Sequence, residues 1–594
     1  MMARFYRIVQ KLLLFSVLTL TPLLGIATSD HHVHYKIKGL SEPALDNVKN
    51  RLKAVEENYP DPLDPQTAQL IYQNGPQQIK KALAPYGYFT PTITSQGLEA
   101  LPDQQWRATY SVDPGPAVII GKFAYKITGA GVAKYDKLQQ DLPIKVGDQF
   151  NSDTYEKLKT TLKDIAAEQG FLGSKFLENE IRIDLKTNRA FITLHFDTGP
   201  QYYFGDVIFS KSPLADTFLQ RFVKFNPGEP YSSSGLLQLQ KELNNTIYFN
   251  SVSIHPQESE HEGLYVPIEV YLDPRKARQY DLGIGVGTDT GVRGTATMVW
   301  RHLTETGHYL RTSLQGSQID SNAELRYVIP GKDPVTEQYY FGASVLHEQP
   351  NDNRGETQKL TVGRIDHPHG WKRAITLNYQ WDYYSIRHLP YEKTRLLLPT
   401  INLSKTRVDD LLFPQKGYKI TLNLNGASRV LASDSSFAQG EVVANLIANP
   451  FTESRLLLRG DIGYTAVNDL NKVPLSLQFF AGGAQSVRGY TYQELGPGRY
   501  LLTSSVELQY PVKGKWYLAT FVDAGNAVNS LSNPKQKALG RPHSNINLNE
   551  LLKYSAGLGV MYASPVGPIE VTLAKPLSDP GKPIRLQFTM GSNL

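Results

Sequence analysis

The second half of the chain alternates apolar and polar residues with a period of two. In 417–427 the two alternating sets are Tyr418, Ile420, Leu422 and Leu424 against Lys419, Thr421, Asn423 and Asn425. Near the end they are Ile584, Leu586, Phe588 and Met590 against Arg585, Gln587 and Thr589. This period is typical of β-strands with one apolar face. The 319 residues from 276 to 594, at about 20 residues for each tilted strand and turn, predict an all-β barrel of about 16 antiparallel strands.

The first half contains a repeat. The pattern G-P-x4-G occurs at 115–121 and again at 199–205, 84 residues later, and each copy precedes a strand pattern and then a helical one. Gly87 and Gly170, which end helical stretches, are 83 residues apart. A period of this size indicates a repeated module. We therefore predict three α+β modules of order strand–helix–helix–strand–strand, at about 30–113, 114–198 and 199–275, before a barrel at 276–594.

Residues 1–29 have the pattern of a secretory signal peptide. A basic start (Arg4, Arg7 and Lys11) precedes an apolar core at 12–26 and small residues at 27–29. A membrane anchor is the alternative, but this core is short for a helical span of about 20 residues. No later run is apolar enough for a helical span, so we expect the mature chain to cross a bilayer as a barrel. A soluble β-sandwich would alternate similarly, but the leader and the 34 tyrosines favour a membrane.

Composition argues against several classes of function. The net charge of +6 falls to +3 without the leader, which is too small to make nucleic-acid binding the expected function. Without cysteine there are no thiolate metal sites. Ser486 and Ser505 lack a nucleophile-elbow pattern, and no P-loop is present. The histidines at 31–34 and 367–369 are weak metal candidates. We expect no enzyme activity, no cofactor and no metal.

A glycine-rich loop carries the most informative arginine. It reads Ala481-Gly-Gly-Ala-Gln-Ser-Val-Arg-Gly-Tyr490. Alternation in the two following strands turns Glu507 and Asp523 toward the barrel interior, and a turn centred on Lys515 predicts that they lie opposite each other. Arg488 would pair with both carboxylates if the loop folds inward, because its planar fork can engage several oxygens. The alternative is a solvated arginine on an external loop.

These residues carry a family resemblance. Val487-Arg-Gly-Tyr490 and Phe521-x-Asp-x-Gly525 resemble the two defining motifs of the POTRA-repeat outer-membrane assembly and transport barrels, and Glu507 matches an acidic position between them. The segments 285–340, 410–417, 564–568 and 590–594 resemble the TamA branch. The resemblance implies POTRA repeats in the periplasm and a barrel in the bacterial outer membrane. It also implies that the loop with Arg488, Gly489 and Tyr490 docks on the inner wall near Phe521, Asp523 and Gly525.

The resemblance further implies that the protein inserts or exports outer-membrane proteins such as autotransporters. Its partners would be these clients, outer-membrane lipid and a large TamB-like protein anchored in the inner membrane, which would bind the POTRA repeats. Three rivals remain. A central barrel-assembly insertase would have five repeats, a two-partner secretion pore would have two repeats and a plug helix, and a barrel enzyme would need a catalytic triad or dyad.

The first predicted barrel strand is rich in glycine. Gly283, Gly285 and Gly287 share its inward face, and glycine weakens a strand. This strand would pair with the last one, near Phe588 and Gly591, so we expect a weak lateral seam. As a hypothesis, the seam opens sideways and its edge templates a client strand. Alternatively, the glycines only relieve crowding inside the barrel.

Overall fold

The computed structural model describes residues 33–59, 63–102, 104–257, 263–451, 453–531, 551–565 and 567–591. The predicted signal peptide lies outside these residues. The chain divides into two compact units. One comprises residues up to 205 with 227–234 and 258–266, and the other comprises 206–226, 235–257 and 267–594. Among the described helices, none is both long and apolar enough to span a membrane.

The first module is a small sheet covered by two helices. Its elements are β1 (Val33–Lys38), α1 (Ala44–Glu56), α2 (Pro65–Leu83), β2 (Thr92–Ala100) and β3 (Trp106–Asp113). Strand β3 lies in the centre, parallel to β1 and antiparallel to β2. Helix α2 begins with Pro65 after Asp64, whose side chain accepts hydrogen bonds from the amides of Gln66 and Thr67, a favourable helix start.

The next two modules repeat this arrangement, with sheet orders β4-β6-β5 and β7-β9-β8. Their elements are β4 (Ile119–Thr128), α3 (Asp136–Gln140), α4 (Ser152–Glu168), β5 (Lys175–Asp184), β6 (Arg189–Asp197), β7 (Tyr203–Phe209), α5 (Asp216–Leu219), α6 (Ser233–Asn244), β8 (Phe249–Pro256) and β9 (Tyr265–Pro274). Gly87 and Gly170 have φ of +85° and +78°, a conformation that favours glycine after a helix. The prediction of three modules is confirmed.

The remaining chain forms a sixteen-stranded antiparallel sheet that curves into a nearly closed barrel. A long loop between its eleventh and twelfth strands adds the short pair β21 and β22. The strands are β10 (Arg278–Gly287), β11 (Gly291–Trp300), β12 (Tyr309–Gly316), β13 (Asp320–Pro330), β14 (Gln338–Glu348), β15 (Arg354–Asp366), β16 (Lys372–Ser385), β17 (Glu392–Val408), β18 (Gly417–Ala427), β19 (Phe437–Ala448), β20 (Arg455–Val467), β21 (Phe479–Ala481), β22 (Leu495–Gly498), β23 (Tyr500–Lys513), β24 (Trp516–Val528), β25 (Lys553–Ser564), β26 (Gly567–Pro576) and β27 (Arg585–Met590).

Side chains alternate across the barrel wall as the sequence pattern predicts. In β24, Trp516, Leu518 and Val522 are exposed on the outside, whereas Phe521 and Asp523 are buried inside. Outward apolar residues suit lipid and inward polar residues suit a lumen. The fold-class prediction, α+β modules followed by a barrel of about 16 strands, is confirmed.

The barrel has a seam without a hydrogen-bonded ladder between its first and last strands. The hydrogen-bonded order runs from β10 to β27, and within the described part of the chain these two strands form no ladder with each other. The expectation that the first strand pairs with the last is therefore wrong for this conformation. The two edges still approach each other, because the Phe588 amide donates to Thr288 Oγ1 at 3.3 Å.

The third module contacts the barrel at the end where the chain enters it, here called the module end. The Tyr248 hydroxyl donates to the Gly307 carbonyl, and the Ala215 amide donates to the Glu305 carbonyl at 2.9 Å. Gly307 lies in the turn between β11 and β12, so this module is bound directly to the hairpin that these two strands form.

A second contact joins the module to the turn between β13 and β14. The Arg221 guanidinium donates to the Pro330 and Lys332 carbonyls at 3.4 and 3.3 Å, and the Lys224 ammonium lies 3.1 Å from Asp333 Oδ2. Partial burial raises the pKa of Asp333, but the hydrogen bond and charge of Lys224, with two backbone amides, outweigh burial and hold this pKa below its usual range. The carboxylate therefore stays ionised at neutral pH.

We predict that Gly307→Ala loosens the third module. Gly307 has φ of +79°, and an added Cβ would lie 2.4 Å from Phe218 Cζ, so the turn must shift. Trypsin cleavage at Arg275 and Lys276 should become several-fold faster in the folded protein. Gly316→Ala is the control, because its nearest new contact would be an ordinary 3.8 Å. Equal cleavage of both variants would contradict the prediction.

Candidate functional site

The loop between β20 and β23 folds into the barrel lumen. It starts at the opposite end of the barrel from the third module, here called the loop end. Val487 and Tyr490 are fully buried and Arg488 is 3% exposed. Gly482, Gly483 and Gly489 have φ between +94° and +102°, which side-chain-bearing residues rarely adopt. The glycine-rich sequence thus allows the tight turns that bring Arg488 to the wall.

Arg488 forms a buried ion pair with Asp523 on strand β24. Its Nε and backbone amide donate to Asp523 Oδ2 at 2.8 and 2.9 Å, and its Nη2 donates to Oδ1 at 2.8 Å. Asp523 is fully buried. This bidentate geometry is the strong form of an arginine–carboxylate pair.

The other side of the guanidinium contacts β23 and β26. Arg488 Nη1 donates to Glu507 Oε2 at 2.5 Å, and Nη2 donates to Ser505 Oγ at 3.0 Å. Glu570 Oε1 lies 3.8 Å from Nη1. The Phe521 ring covers the guanidinium with its centroid 3.3 Å from Cζ, a cation–π contact. Three carboxylates thus surround a buried arginine.

The predicted register between β23 and β24 is wrong. Asp523 lies opposite Ser505, and Glu507 lies opposite Phe521. The turn is the tight pair Gly514-Lys515, and the register shifts between Pro511 and Lys513. Asp523 is therefore opposed by the inward-facing residue of β23 that lies two positions before Glu507. The two carboxylates are therefore diagonal neighbours, and Arg488 reaches both from between them.

Several members of the cluster were not predicted from the sequence. Glu507 Oε1 accepts from Gln509, whose Oε1 accepts from Arg455 Nη1, each at 2.6 Å. Arg455 is fully buried and also donates to the Pro414 carbonyl at 3.0 Å. The network thus extends from the loop to the turn between β17 and β18. Alternation along 567–576 predicts that Glu570 lies on the inner face, but no local sequence pattern indicates that it lies near Arg488.

Two glycines beside the cluster let the backbones approach. A Cβ on Gly525 would lie 2.8 Å from the Leu502 carbonyl oxygen, and one on Gly489 would lie 3.2 Å from Pro576. Gly525 permits close pairing of β23 and β24 beside the cluster. Gly489 permits the loop to lie against the last hairpin.

The predicted seam residues are only partly brought together. A Cβ added to Gly283 would lie 2.6 Å from Thr295 Oγ1, and a Cβ added to Gly285 would lie 3.0 Å from Arg293 Nε. These two glycines therefore make room for side chains of β11, which supports the crowding explanation. A Cβ added to Gly287 would lie 3.3 Å from Thr290 Oγ1, in the turn that follows β10.

The last strand contributes one predicted residue to the seam. Phe588 is linked to Thr288, as described above, whereas the Gly591 amide donates to the Pro568 carbonyl at 3.0 Å. Gly591 therefore extends the contact with β26. On the other edge, Leu282 and Ile284 point outward and are 85% and 89% exposed.

We predict that Arg488→Ala lowers the free energy of unfolding by about 3–5 kcal/mol, because buried carboxylates lose their counter-charge. Equilibrium urea unfolding in detergent, followed by mobility of unheated samples, measures this change. Arg488→Lys should recover only part of the stability, since an ammonium cannot form the same fork. Arg429→Ala, on an exposed loop, is the control. Equal stability of Arg488→Ala and the control would exclude a stabilising network.

Three family models match the chain. The Omp85 superfamily domain matches residues 303–593. The model for POTRA domain TamA domain 1 matches 34–114, and a POTRA model described as surface antigen variable number repeat matches 124–199. The matches cover the barrel from β12 onward and most of the first two modules.

Similar proteins agree with these models. The outer membrane protein assembly factor BamA of Neisseria meningitidis serogroup B is 23% identical over 522 residues, covering 77% of this chain and 64% of that protein. The chain thus spans slightly less than two thirds of that relative. A SAM50-like protein of Schizosaccharomyces pombe is 26% identical over 433 residues, covering 63% of this chain and 87% of that protein.

A solved structure shows the same fold. BamA from Haemophilus ducreyi lacking POTRA domains 1–3 superposes with a TM-score of 0.67 at 18% identity, covering 80% of this chain and 99% of that one. Residues 303–593 therefore match the Omp85 superfamily domain model behind segments that match POTRA models, and the fold is that of a BamA-like outer-membrane β-barrel with periplasmic POTRA domains.

Proposed function

We propose that this protein is a TamA-type outer-membrane subunit that inserts or exports outer-membrane proteins, autotransporters among them, through its lateral seam. Client strands would pair with the free edge of β10. A TamB-like protein anchored in the inner membrane would bind the POTRA domains. The protein would act as an assembly factor rather than an enzyme.

The unpaired seam is the observation that carries this proposal. Strand β10 has ten residues and, within the part of the chain that the structure describes, pairs only with β11, whereas β27 has six residues. An edge strand presents unpaired amides and carbonyls that can pair with another extended segment. In a bilayer such groups are costly to leave unsatisfied, so the edge favours acceptance of a client strand.

Two features support the TamA branch within the superfamily. The chain has three modules, fewer than expected for a central insertase, and its first module matches the model for TamA domain 1. We assign the partner to this first module. The domain boundaries 30–113, 114–198, 199–275 and 276–594, with a leader at 1–29, form part of the same proposal.

The buried cluster would act as a lumen lock. Arg488, Gly489 and Tyr490 on the loop, with Glu507, Phe521, Asp523 and Gly525 on the wall, would hold the loop inside the barrel. A loop fixed in this position narrows the lumen and favours insertion at the seam over passage through a wide secretion pore.

A crosslink across the seam tests the proposed route. The chain has no cysteine, so Thr288→Cys with Phe588→Cys can be joined by a short bis-maleimide without side reactions. If clients need the seam to open, crosslinking should abolish insertion of a model autotransporter into proteoliposomes.

The matched control keeps Phe588→Cys and pairs it with Val571→Cys. These residues lie opposite each other on β26 and β27, which need not separate. Insertion should continue in this crosslinked control. Equal insertion by the seam-crosslinked protein would overturn the lateral route.

Photo-crosslinking in cells tests the partner assignment. A photoreactive residue at Leu70, on α2 of the first module, should capture a large inner-membrane-anchored, β-rich protein. Leu177, on β5 of the second module, has matching exposure and serves as the control. Capture of periplasmic lipoproteins with many nascent barrels would favour a central insertase, and capture of one secreted protein would favour a secretion pore.

A further inference from the structure

The inward-folded loop contacts both hairpins that border the seam. We use the name seam strap for residues 483–494 of this loop. One border is the hairpin of β10 and β11, with its turn at 288–290. The other is the hairpin of β26 and β27, with its turn at 577–584. Both turns lie at the loop end of the barrel.

The strap is bound to the first hairpin through Asp289. The Ala484 amide donates to Asp289 Oδ2 at 2.6 Å. The approach is close, since a Cβ on Gly483 would lie 2.8 Å from the same oxygen. Burial raises the pKa of Asp289, and the Ala484 amide and the charge of Arg585 oppose that effect. Loss of this amide would leave a half-buried carboxylate without its backbone donor.

The strap is also bound to the last hairpin. The Tyr490 hydroxyl donates to Asp579 Oδ2 at 2.8 Å, and Glu494 forms an ion pair with Lys582. Lys582 Nζ additionally lies 4.7 Å from the centroid of the Tyr490 ring. Lys553 also donates to Asp579, and the hydrogen bonds from Lys553 and then Tyr490 hold the pKa of Asp579 below its usual range.

The strap makes stronger contacts with the C-terminal side of the barrel than with the first hairpin. Arg488 binds Asp523 on β24 and Glu507 on β23, and Glu570 on β26 lies nearby. These strands belong to the C-terminal side of the barrel, as Asp579 does. The strap is therefore anchored on the side of the last strand and crosses the seam to reach Asp289.

We infer that Asp289 is a positioning residue that holds the seam closed at the loop end by receiving the strap. The two seam edges can separate there only if the Ala484–Asp289 hydrogen bond breaks or the whole anchored loop moves. The inference deepens the proposed function, on which it rests for the role of the seam in client insertion.

Distance measurements between spin labels test the inference in the full-length protein. Ile284→Cys and Leu586→Cys place nitroxides on the outward faces of β10 and β27 in a chain without other cysteines. Double electron–electron resonance in proteoliposomes, without client, then reports the width of the seam. Asp289→Ala should raise the ratio of open to closed seam about fivefold, the change expected from losing one ordinary hydrogen bond.

Further variants separate the effects of the individual strap contacts on the width of the seam. Asp289→Asn retains a weaker acceptor and should give a smaller shift in the same direction, which also keeps the test usable if Asp289→Ala folds poorly. Tyr490→Phe should have a smaller effect than Asp289→Ala, because Arg488 still anchors the loop. The matched controls are Tyr492→Phe, whose hydroxyl meets Gln493, and Asp352→Ala on another loop at the same end. Both should leave the distances unchanged.

Client insertion by the same variants, without spin labels, distinguishes this inference from the proposed function. A wider seam with altered client insertion supports both. A wider seam with unchanged insertion supports the role of Asp289 and argues against insertion through the seam. An unchanged seam in Asp289→Ala and Asp289→Asn overturns the inference, whatever happens to insertion.

Discussion

Burial of one arginine charge governs the organisation of this barrel. A guanidinium inside a protein is tolerated only when carboxylates and hydrogen-bond acceptors replace its water. Arg488 obtains them from Asp523, Glu507 and Ser505, which lie on adjacent strands. The loop must therefore fold into the lumen, and the strands that carry the acceptors must keep their register. The glycines beside the cluster follow from the same requirement, since they let backbones approach.

The cluster also gives the barrel two unlike sides. The strands near the C-terminus are joined to one another and to the loop by buried ionic contacts. The first hairpin receives the loop through the amide of Ala484 and Asp289, and the next hairpin, β11 and β12, receives the third module at Gly307. Strand β11 thus lies between two docking contacts, and its neighbour β10 has no second ladder among the described residues. Motion of the third module and motion of the loop would both act on β11.

Much of the fold could be predicted from periodicity. The period of two predicted the barrel strands and their inward faces, and the repeat of about 84 residues predicted three modules, because both patterns reflect local burial. The register of β23 and β24 could not be predicted, since it depends on a tight turn and a shift near Val512. Glu570 and Arg455 were also missed, because their contacts join residues far apart in the chain.

The sequence by itself determined which residues face the lumen, where the modules repeat and that Arg488 needs acidic partners. These properties follow from side-chain chemistry and from the fixed geometry of strands and helices. Only the tertiary structure decided which carboxylates meet Arg488, that Gly283 and Gly285 make room for β11 side chains, and that the first and last strands remain without a ladder. Such features depend on how distant strands curve and meet, and no local pattern encodes that geometry.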